Sequence, residues 1–321
     1  IERGSSMLAF FANLFGYVLN FIYEIVKNYG LAIIIFSILV KLLMIPMSIK
    51  QQKTMKKSQK IQSKMKEIQF KYKNNPEMLN KATQELYKSE NMSPFSGCFS
   101  AIIQIILLFA VFYLVRSPLT YMKKVDTSVT NKYTKIIREN DLSTNSAYPE
   151  IEIIRELDNI KELKNKQTET NTEESENQQE KTDLSEINDE ELNSLYINMD
   201  FLGLNLAQVP TRSSDWKAYI IPILYVLVSI ISLRVVNNTN KKNKKDKPEE
   251  NKDEKSLAKP EDDFDPMEQM NKNMNMMFPV MYLAVALIAP LGLALYWLMN
   301  SLLMIVERLI LNKLLKDEEE N

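Results

Sequence analysis

One lysine lies in the middle of a long apolar segment of this chain. The only polar side chains within Leu31–Ile49 are Ser37, Lys41 and Ser48. Ser37 precedes Lys41 by four residues and Ser48 follows it by seven, so all three share one face of a helix. An ionisable residue inside a membrane-spanning helix is costly, and it usually faces the bundle interior or water. The chemistry available to Lys41 is therefore electrostatic attraction of an anionic group at mid-depth.

Other apolar segments carry polar residues at helical spacing. They are Ser100 and Gln104; Tyr225, Ser229 and Ser232; and Tyr296 and Asn300, followed by Glu307. We expect these faces and Lys41 to line a hydrated, positively charged cavity. In one alternative the hydroxyl groups serve only hydrogen bonds between helices. In another, Lys41 forms a buried pair with Glu307, although we expect Glu307 to stay in the interface because it lies near the inner end of its helix.

Composition disfavours an enzyme. The chain has no histidine, one cysteine and a formal charge of −1. It therefore has no Ser–His or Cys–His nucleophile, no histidine-ligated metal and no disulfide within the chain. We expect no cofactor and no bound metal.

The apolar runs are long enough to span a membrane, which requires about 20 residues. The run Asn273–Val306 contains no charge and would be about 51 Å long as one helix, but Pro290-Leu291-Gly292 divides it. We predict an all-α polytopic membrane protein with five transmembrane helices around a polar groove open to the cytoplasm. The predicted spans are 30–49, 94–116, 216–236, 274–289 and 290–312.

Residues 1–29 form a separate N-terminal segment. Asn13, Asn20, Glu24 and Lys27 fall on one helical face of its apolar sequence, which favours an amphipathic helix lying in the interface. A sixth span and the apolar region of a signal peptide are the alternatives.

The distribution of charge between the spans predicts the orientation. Segment 50–93 holds eleven lysines against four acids, whereas 117–215 holds eleven basic against twenty acidic residues. Basic loops stay in the cytoplasm. We therefore place the N-terminus and 117–215 outside, in the plasma membrane of a bacterium, and 50–93, the low-complexity loop 237–273 and the acidic tail 313–321 inside.

Segment 50–93 has the pattern of a helical hairpin. One apolar stripe comprises Ile61, Met65, Ile68 and Tyr72, the opposing stripe comprises Leu79, Ala82 and Leu86, and Asn74-Asn75-Pro76 is the turn. Its lysines serve as a topology signal alone or also contact anionic partners; the candidates are Lys56, Lys57, Lys60 and Lys64. In the outer loop we expect helices at Ile151–Lys166 and Leu184–Tyr196 and a disordered tract at Gln167–Lys181.

Four segments together resemble the YidC/Oxa/Alb family of membrane protein insertases. They are NYGLAIIIFSILVKLLMIPMSIKQQKTMKKSQKIQ (28–62), NMSPFSGCFSAIIQIILLFAVFYLV (91–115), MDFLGLNLAQ (199–208) and MMFPVMYLAVALIAPLGLALYWLMNSLLMIVERLI (276–310). They occur in the order of the family and leave most of the outer loop unmatched.

The resemblance implies an insertase and chaperone that moves polar segments of nascent membrane proteins across the bilayer without nucleotide hydrolysis. Lys41 takes the family's charged groove position, and Ser37 is the hydroxyl one turn before it. Further groove-facing positions match Gln104, Tyr296 and Trp297. Nascent membrane proteins and the lipid bilayer are the implied partners, the Sec translocon and the ribosome are further candidates, and no specific DNA partner is expected.

The sequence departs from the family in two respects. The charged position is usually arginine, which stays protonated, whereas a buried lysine can lose its proton. The outer loop is also longer than expected in single-membrane bacteria. A small-solute transporter or channel with a polar-lined path, and a membrane scaffold, are the competing functions.

Overall fold

The computed structural model describes residues 6–90, 96–142, 147–170, 187–245, 281 and 283–320, with the backbone alone for some of them. The backbone-only residues include four predicted site residues, namely Lys56, Lys60, Ser100 and Gln104. Most of the predicted fourth span, 274–289, and of the loop 237–273 lies outside the described residues.

The first helix is apolar around most of its circumference. Helix α1, Ser6–Val26, buries one face against later helices, with Ala12, Phe15, Leu19, Ile22 and Tyr23 in the core. The opposite face exposes the apolar side chains of Phe10, Leu14, Tyr17, Phe21 and Ile25. Gly16 is required by a close approach, because a Cβ there would overlap the carbonyl group of Tyr121.

The second helix is much longer than the predicted span. Helix α2, Tyr29–Lys71, begins at the N-cap Asn28, whose side chain accepts a hydrogen bond from the Leu31 N–H. Its 43 residues are about 64 Å long at the rise of an α-helix. The predicted boundary between residues 49 and 50 therefore marks a change of composition within one continuous helix. Pro46 lies inside it and has no N–H to donate to the carbonyl group of Leu42.

Helix α3, Pro76–Ser89, packs against the last part of α2. Its N-cap Asn75 accepts from the Met78 N–H, and Pro76 occupies the first turn, where its missing N–H costs nothing. Ile61 and Leu86 are the buried residues of the two predicted stripes, while Met65 and Leu79 are half-buried. The Thr83 hydroxyl also lies 3.6 Å from the sulfur of Met65.

Three further long helices lie among the described residues. They are α4 at Ser96–Arg116, α9 at Ile220–Lys245 and α11 at Leu291–Glu320; α10 is described only at 281 and 283–288. Helix α11 packs against α9 and α2, and α1 packs against α4 and α2. The break between α10 and α11 falls at residues 289–290, as the Pro290 turn predicted.

Within the described residues, four helices are long and apolar enough to cross a membrane. The candidate spans are Met7–Val26, Tyr29–Thr54, Trp216–Val235 and Leu291–Leu314, and Ile106–Arg116 is a shorter apolar helix within α4. The described chain is mostly helical, as expected for an all-α polytopic membrane protein. The number of spans, the groove and the orientation stay predictions.

Between α4 and α9 the chain forms a folded unit, which we call the α5–α8 unit. It comprises α5 at Pro118–Tyr121, α6 at Thr127–Glu139, α7 at Pro149–Thr170 and α8 at Asp189–Leu195. Tyr133, Ile136, Ile153, Leu157 and Leu192 are among its buried residues. Helices α7 and α8 confirm two predicted helical patterns, whereas α6 was not predicted. The tract Gln167–Lys181 is described only to Thr170, within α7.

A buried carboxyl group joins α7 to α5. The Thr120 N–H and hydroxyl donate to Glu150, at 2.9 and 2.6 Å. Burial raises the pKa of Glu150, and the hydrogen bonds from Thr120 partly oppose this rise. Folding therefore favours the protonated form of this carboxyl group relative to the unfolded chain.

A short β-hairpin connects this unit to the membrane helices. Strand β1, Asp200–Phe201, pairs antiparallel with β2, Leu204–Asn205, across a turn in which Leu202 and Gly203 both have positive φ. The Phe201 ring lies over Gly30, where a Cβ would collide with it. The carbonyl groups of Leu206 and Gln208 accept hydrogen bonds from the Gly292 and Leu291 N–H groups, both at 2.9 Å. These bonds satisfy N–H groups in the first turn of α11, which otherwise lack partners.

Candidate functional site

Lys41 lies at the midpoint of the candidate span Tyr29–Thr54. It is twelve residues, or about 18 Å, from the beginning of α2. Its apolar neighbours Leu42 and Leu43 are exposed on the outside of the bundle, whereas the Lys41 side chain is largely buried, with 20% exposed. The lysine therefore faces the bundle rather than the surrounding lipid.

The ammonium group of Lys41 pairs with Glu307 of α11. Lys41 Nζ lies 2.7 Å from Glu307 Oε2, and 12% of the Glu307 side chain is exposed. This is the pair that sequence reasoning kept as an alternative to an unpaired Lys41. Helices α2 and α11 pack together, and the long lysine side chain reaches the carboxylate from mid-depth.

The second carboxylate oxygen of Glu307, Oε1, is buried and makes no hydrogen bond to the described residues. A lysine offers one compact charge, whereas both oxygens of a carboxylate accept hydrogen bonds. The carboxylate is therefore held at one oxygen only. Arg308 follows it directly and is half-buried.

Ser37 is buried, with 4% exposed, but its hydroxyl group serves its own helix. It donates to the Ile33 carbonyl at 2.7 Å, and Ser229 donates likewise to the Tyr225 carbonyl at 2.7 Å. The alternative in which these hydroxyl groups donate hydrogen bonds between helices does not hold for these two serines, because each bonds back to the carbonyl four residues earlier. Ser37 shares the face of Lys41 without a described contact to its ammonium group.

The predicted groove residues of α11 lie nearer its beginning. Tyr296 is buried, and Trp297 is half-buried with its ring centroid 6.0 Å from that of Tyr225. Asn300 and Ser48 are half-buried. Asn300 precedes Glu307 by seven residues, so they share a face of α11 about 10 Å apart. No described contact joins Lys41 to Tyr296, Trp297, Asn300 or Ser48, and the side chains of Ser100 and Gln104 lie outside the described residues.

A polar contact that sequence reasoning missed lies farther along the same two helices. The Gln52 side-chain amide donates to the Asn312 side-chain oxygen at 2.6 Å. Gln52 follows Lys41 by eleven residues, or three helical turns, and therefore continues the Lys41 face. This eleven-residue spacing from Lys41 is the sequence signal that could have predicted that Gln52 faces α11. The Lys41–Glu307 and Gln52–Asn312 contacts follow each other in the same order along both helices, so α2 and α11 run parallel here.

The part of α2 from residue 50 to Lys71, together with α3, is called here the α2–α3 pair, and its lysines have different surroundings. Lys64 Nζ is 2.7 Å from Glu90 Oε1, and this carboxylate holds the pKa of Lys64 above its ordinary value. Lys57 is half-buried, while the side chains of Lys56 and Lys60 lie outside the described residues. Among the described residues, no cluster of three His, Cys, Asp or Glu side chains could hold a metal ion.

Comparison with known proteins identifies the family. The model of the 60Kd inner membrane protein family matches residues 21–319. The chain is also similar to proteins named membrane protein insertase YidC. The relative from Chlorobaculum tepidum is 44% identical over 102 residues, which are 32% of this chain and 17% of the relative.

Two shorter relatives match over a similar length. The protein from Fusobacterium nucleatum is 40% identical over 101 residues, which cover 32% of this chain and 49% of the relative. That from Caldanaerobacter subterraneus is 36% identical over 110 residues, covering 34% and 53%. The matched stretch thus spans at most about half the length of these relatives.

The family model extends over nearly the whole chain, and the apolar helices fit a multi-pass protein of the bacterial inner membrane. The chain belongs to the 60Kd inner membrane protein family, the YidC/Oxa group that its four sequence segments resemble.

Proposed function

We propose that this chain is a membrane protein insertase that uses Lys41 to attract polar, acidic segments of nascent membrane proteins into the bundle. The observation that carries the proposal is a lysine at the midpoint of a candidate span, largely buried yet with 20% of its side chain exposed. A charge at this depth is rare and marks a functional path in membrane proteins. Membership of the family supports the same function.

Partitioning of the client into lipid supplies the driving force. Burial of apolar surface yields about 25 cal/mol per Å², so a client helix of about 20 apolar residues gains enough free energy to move a short polar segment. The groove lowers the barrier by offering water, polar groups and a positive charge at mid-depth. No nucleotide is required.

The proposed arrangement is five spans around a groove that opens to the cytoplasm and is lined by Lys41, Ser37, Gln104, Tyr296, Trp297, Asn300, Ser48 and Ser100. Helices α4 and α10 supply the second and fourth spans. In this arrangement the α2–α3 pair is cytoplasmic, where its lysines Lys56, Lys57, Lys60 and Lys64 meet anionic partners. The α5–α8 unit is then outside the cell, and the C-terminus is inside.

Helix α1 is proposed to lie along the outer interface although its length and composition would allow it to span. Two lysines that follow α5 contact α1 at two separate points. Lys123 Nζ is 3.0 Å from Glu24 Oε1, and Lys124 Nζ is 2.8 Å from the side-chain oxygen of Asn13. Eleven residues separate these contacts on α1, or about 16 Å. Because charged groups seldom follow a spanning helix into lipid for that distance, these contacts favour the interface.

Rescue of an insertase-depleted bacterium tests the proposal. The unmodified chain should restore growth and the insertion of a reporter client with an acidic translocated segment. Lys41→Arg keeps the charge and should be tolerated, while Lys41→Ala should reduce insertion of this client by about tenfold or more. Insertion is measured by protease protection of the translocated segment.

A client that carries the same sequence with amides in place of acids is the matched control. Its insertion should depend much less on Lys41. Full insertion of the acidic client by Lys41→Ala would contradict the electrostatic role, and failure of the unmodified chain to rescue would contradict the insertase itself.

A further inference from the structure

The acidic partner of Lys41 belongs to the protein itself. Lys41 Nζ and Glu307 Oε2 are 2.7 Å apart, and both side chains are largely buried. The proposed function requires Lys41 to be available to a client, but in this structure it is already neutralised. Glu307 thus occupies the place that a client carboxylate would take.

We propose that Glu307 is a built-in competitor for Lys41: it holds the ammonium group while the groove is empty and is displaced by an aspartate or glutamate of the client segment. This inference rests on the proposed insertase function and adds a rule of client selection. A client is favoured when its own carboxylate can replace that of Glu307.

Electrostatics support exchange rather than simple dissociation. Removing one partner of a buried ion pair leaves an uncompensated charge and is strongly unfavourable. Replacing one carboxylate by another leaves the charge of Lys41 compensated throughout. A neutral client segment provides no such replacement, so it must enter beside the closed pair or bear the cost of separating it.

The environment of Glu307 favours the release of its carboxylate from Lys41. Only one of its two oxygens is paired, and the other is buried with no described partner. Glu307 also lies seven residues before the end of the candidate span Leu291–Leu314, which is about 10 Å along the helix. The carboxylate therefore has a short path to the interface, where water can solvate it.

The two helices keep a second contact when the pair is exchanged. The hydrogen bond between Gln52 and Asn312, 2.6 Å long, lies farther along both helices. Because neither group is charged, a client carboxylate has no advantage in competing for it. Opening of the Lys41–Glu307 pair need not separate α2 from α11.

Zero-length crosslinking of the full-length protein in membranes tests the exchange directly. A membrane-permeant carbodiimide joins an amine to a carboxylate only when the two are in contact. In the empty protein, mass spectrometry should find the peptide that links Lys41 to Glu307. In a complex with a stalled acidic client this linked peptide should decrease by about fivefold or more, and Lys41 should be linked to the client instead.

The stalled client with amides in place of acids is the control, and there the Lys41–Glu307 link should persist. Persistence of the link at full yield with the acidic client would overturn the proposal. Absence of the link in the empty protein would overturn it too.

A second measurement compares insertion by variants present at equal amounts. Glu307→Gln removes the competitor, so insertion of the acidic client relative to the neutral client should rise by about threefold or more. Glu67→Gln, an exposed change elsewhere on α2, should leave the ratio unaltered. If Glu307→Gln leaves this ratio unchanged, the competitor proposal is wrong. The insertase function would still stand as long as the wild-type chain inserts both clients.

The charge-exchanged variant Lys41→Glu/Glu307→Lys separates competition from packing. It retains an ion pair at the same place but moves the positive charge to α11. If the pair only stabilises the bundle, this variant should insert the acidic client as well as the wild type does, and such a result would overturn the proposal. We expect a stable protein with lost preference for the acidic client.

Discussion

At the scale of single residues, the contact between Lys41 and Glu307 depends on how α2 and α11 pack together. An apolar run interrupted by one lysine is sufficient to place Lys41 inside a span and to infer that it faces the bundle. Pairing depends on how far two helices slide along each other, and that displacement is set by side-chain packing over their whole length. Sequence reasoning kept Glu307 as an alternative partner for Lys41 but gave it less weight because it lies near the end of its own helix, and that position does not determine which residues of two packed helices meet.

Glu150 shows a second residue-scale effect and gives a testable pH dependence. Burial raises its pKa above the ordinary value of 4.5. The folded carboxyl group therefore binds its proton more tightly than the unfolded one, and this contribution to the free energy of unfolding falls as pH rises from 4.5 through the raised pKa.

Glu150→Gln should remove this contribution while keeping an acceptor oxygen for Thr120. Between about pH 4 and pH 7, the melting temperature of the detergent-solubilised wild type should fall relative to that of the variant. Thermal unfolding followed by circular dichroism checks the difference. Parallel pH profiles would show that burial of Glu150 has no energetic consequence.

At the scale of elements, composition predicts the end of the first span at residue 49 but not the end of helix α2, which lies at Lys71. Residues 50–71 lose the apolar character of the preceding span, yet α2 continues through them, because nothing stops it before the Asn74-Asn75-Pro76 turn. The turn and both stripes of the α2–α3 pair were predicted from the sequence. Helix α6 was missed, although its N-cap Asp126 and the spacing of Val129, Tyr133, Ile136 and Ile137 are helical signals.

The α2–α3 pair should depend on its few buried apolar contacts rather than on its surface charges. Leu86 is buried against α2, so Leu86→Ala should cost about 2 kcal/mol or more and loosen α3. Lys64→Ala removes a solvent-exposed ion pair, which water and salt screen, and should change little. Hydrogen exchange of the α3 amides measures both.

The two variants control for each other, since both truncate a side chain of the same helix pair. Equal acceleration of exchange in α3 would mean that the Lys64–Glu90 contact contributes as much as the apolar contact. Unchanged exchange in Leu86→Ala would mean that α3 gains its order elsewhere.

At the scale of the whole molecule, charge asymmetry predicts an orientation that labelling can test. In a Cys98→Ser background, Leu202→Cys places a thiol at the tip of the β-hairpin, where the native side chain is 88% exposed. Met78→Cys places one on α3 at a position that is 43% exposed. A membrane-impermeant maleimide should label position 202 in intact cells and position 78 only after permeabilisation.

The Cys98→Ser protein without a new cysteine is the blank for this experiment. The opposite labelling pattern would reverse the whole topology, and labelling of both positions in intact cells would place the α2–α3 pair outside. The experiment also tests where the α5–α8 unit lies, because the hairpin is attached to it.

The family and the membrane class were predictable because they depend on local segments and on periodicity. The buried core of the α5–α8 unit was not predicted, because the sequence indicated only two separate helical patterns and a disordered tract in this region. Tyr133, Ile153, Leu157 and Leu192 come from three separate helices and form a core only after those helices meet.

Pro46 makes the long helix α2 easier to bend at one point. Lacking one backbone hydrogen bond, the helix bends most easily there. From Pro46 the helix extends about 38 Å to Lys71 on one side, but Lys41 is only about 7 Å away on the other. A bend of about 10° at Pro46 would move the far end of α2 by about 7 Å and leave Lys41, on the other side of the bend, almost in place. Movements of the α2–α3 pair are therefore absorbed at Pro46, and the Lys41–Glu307 pair is shielded from them.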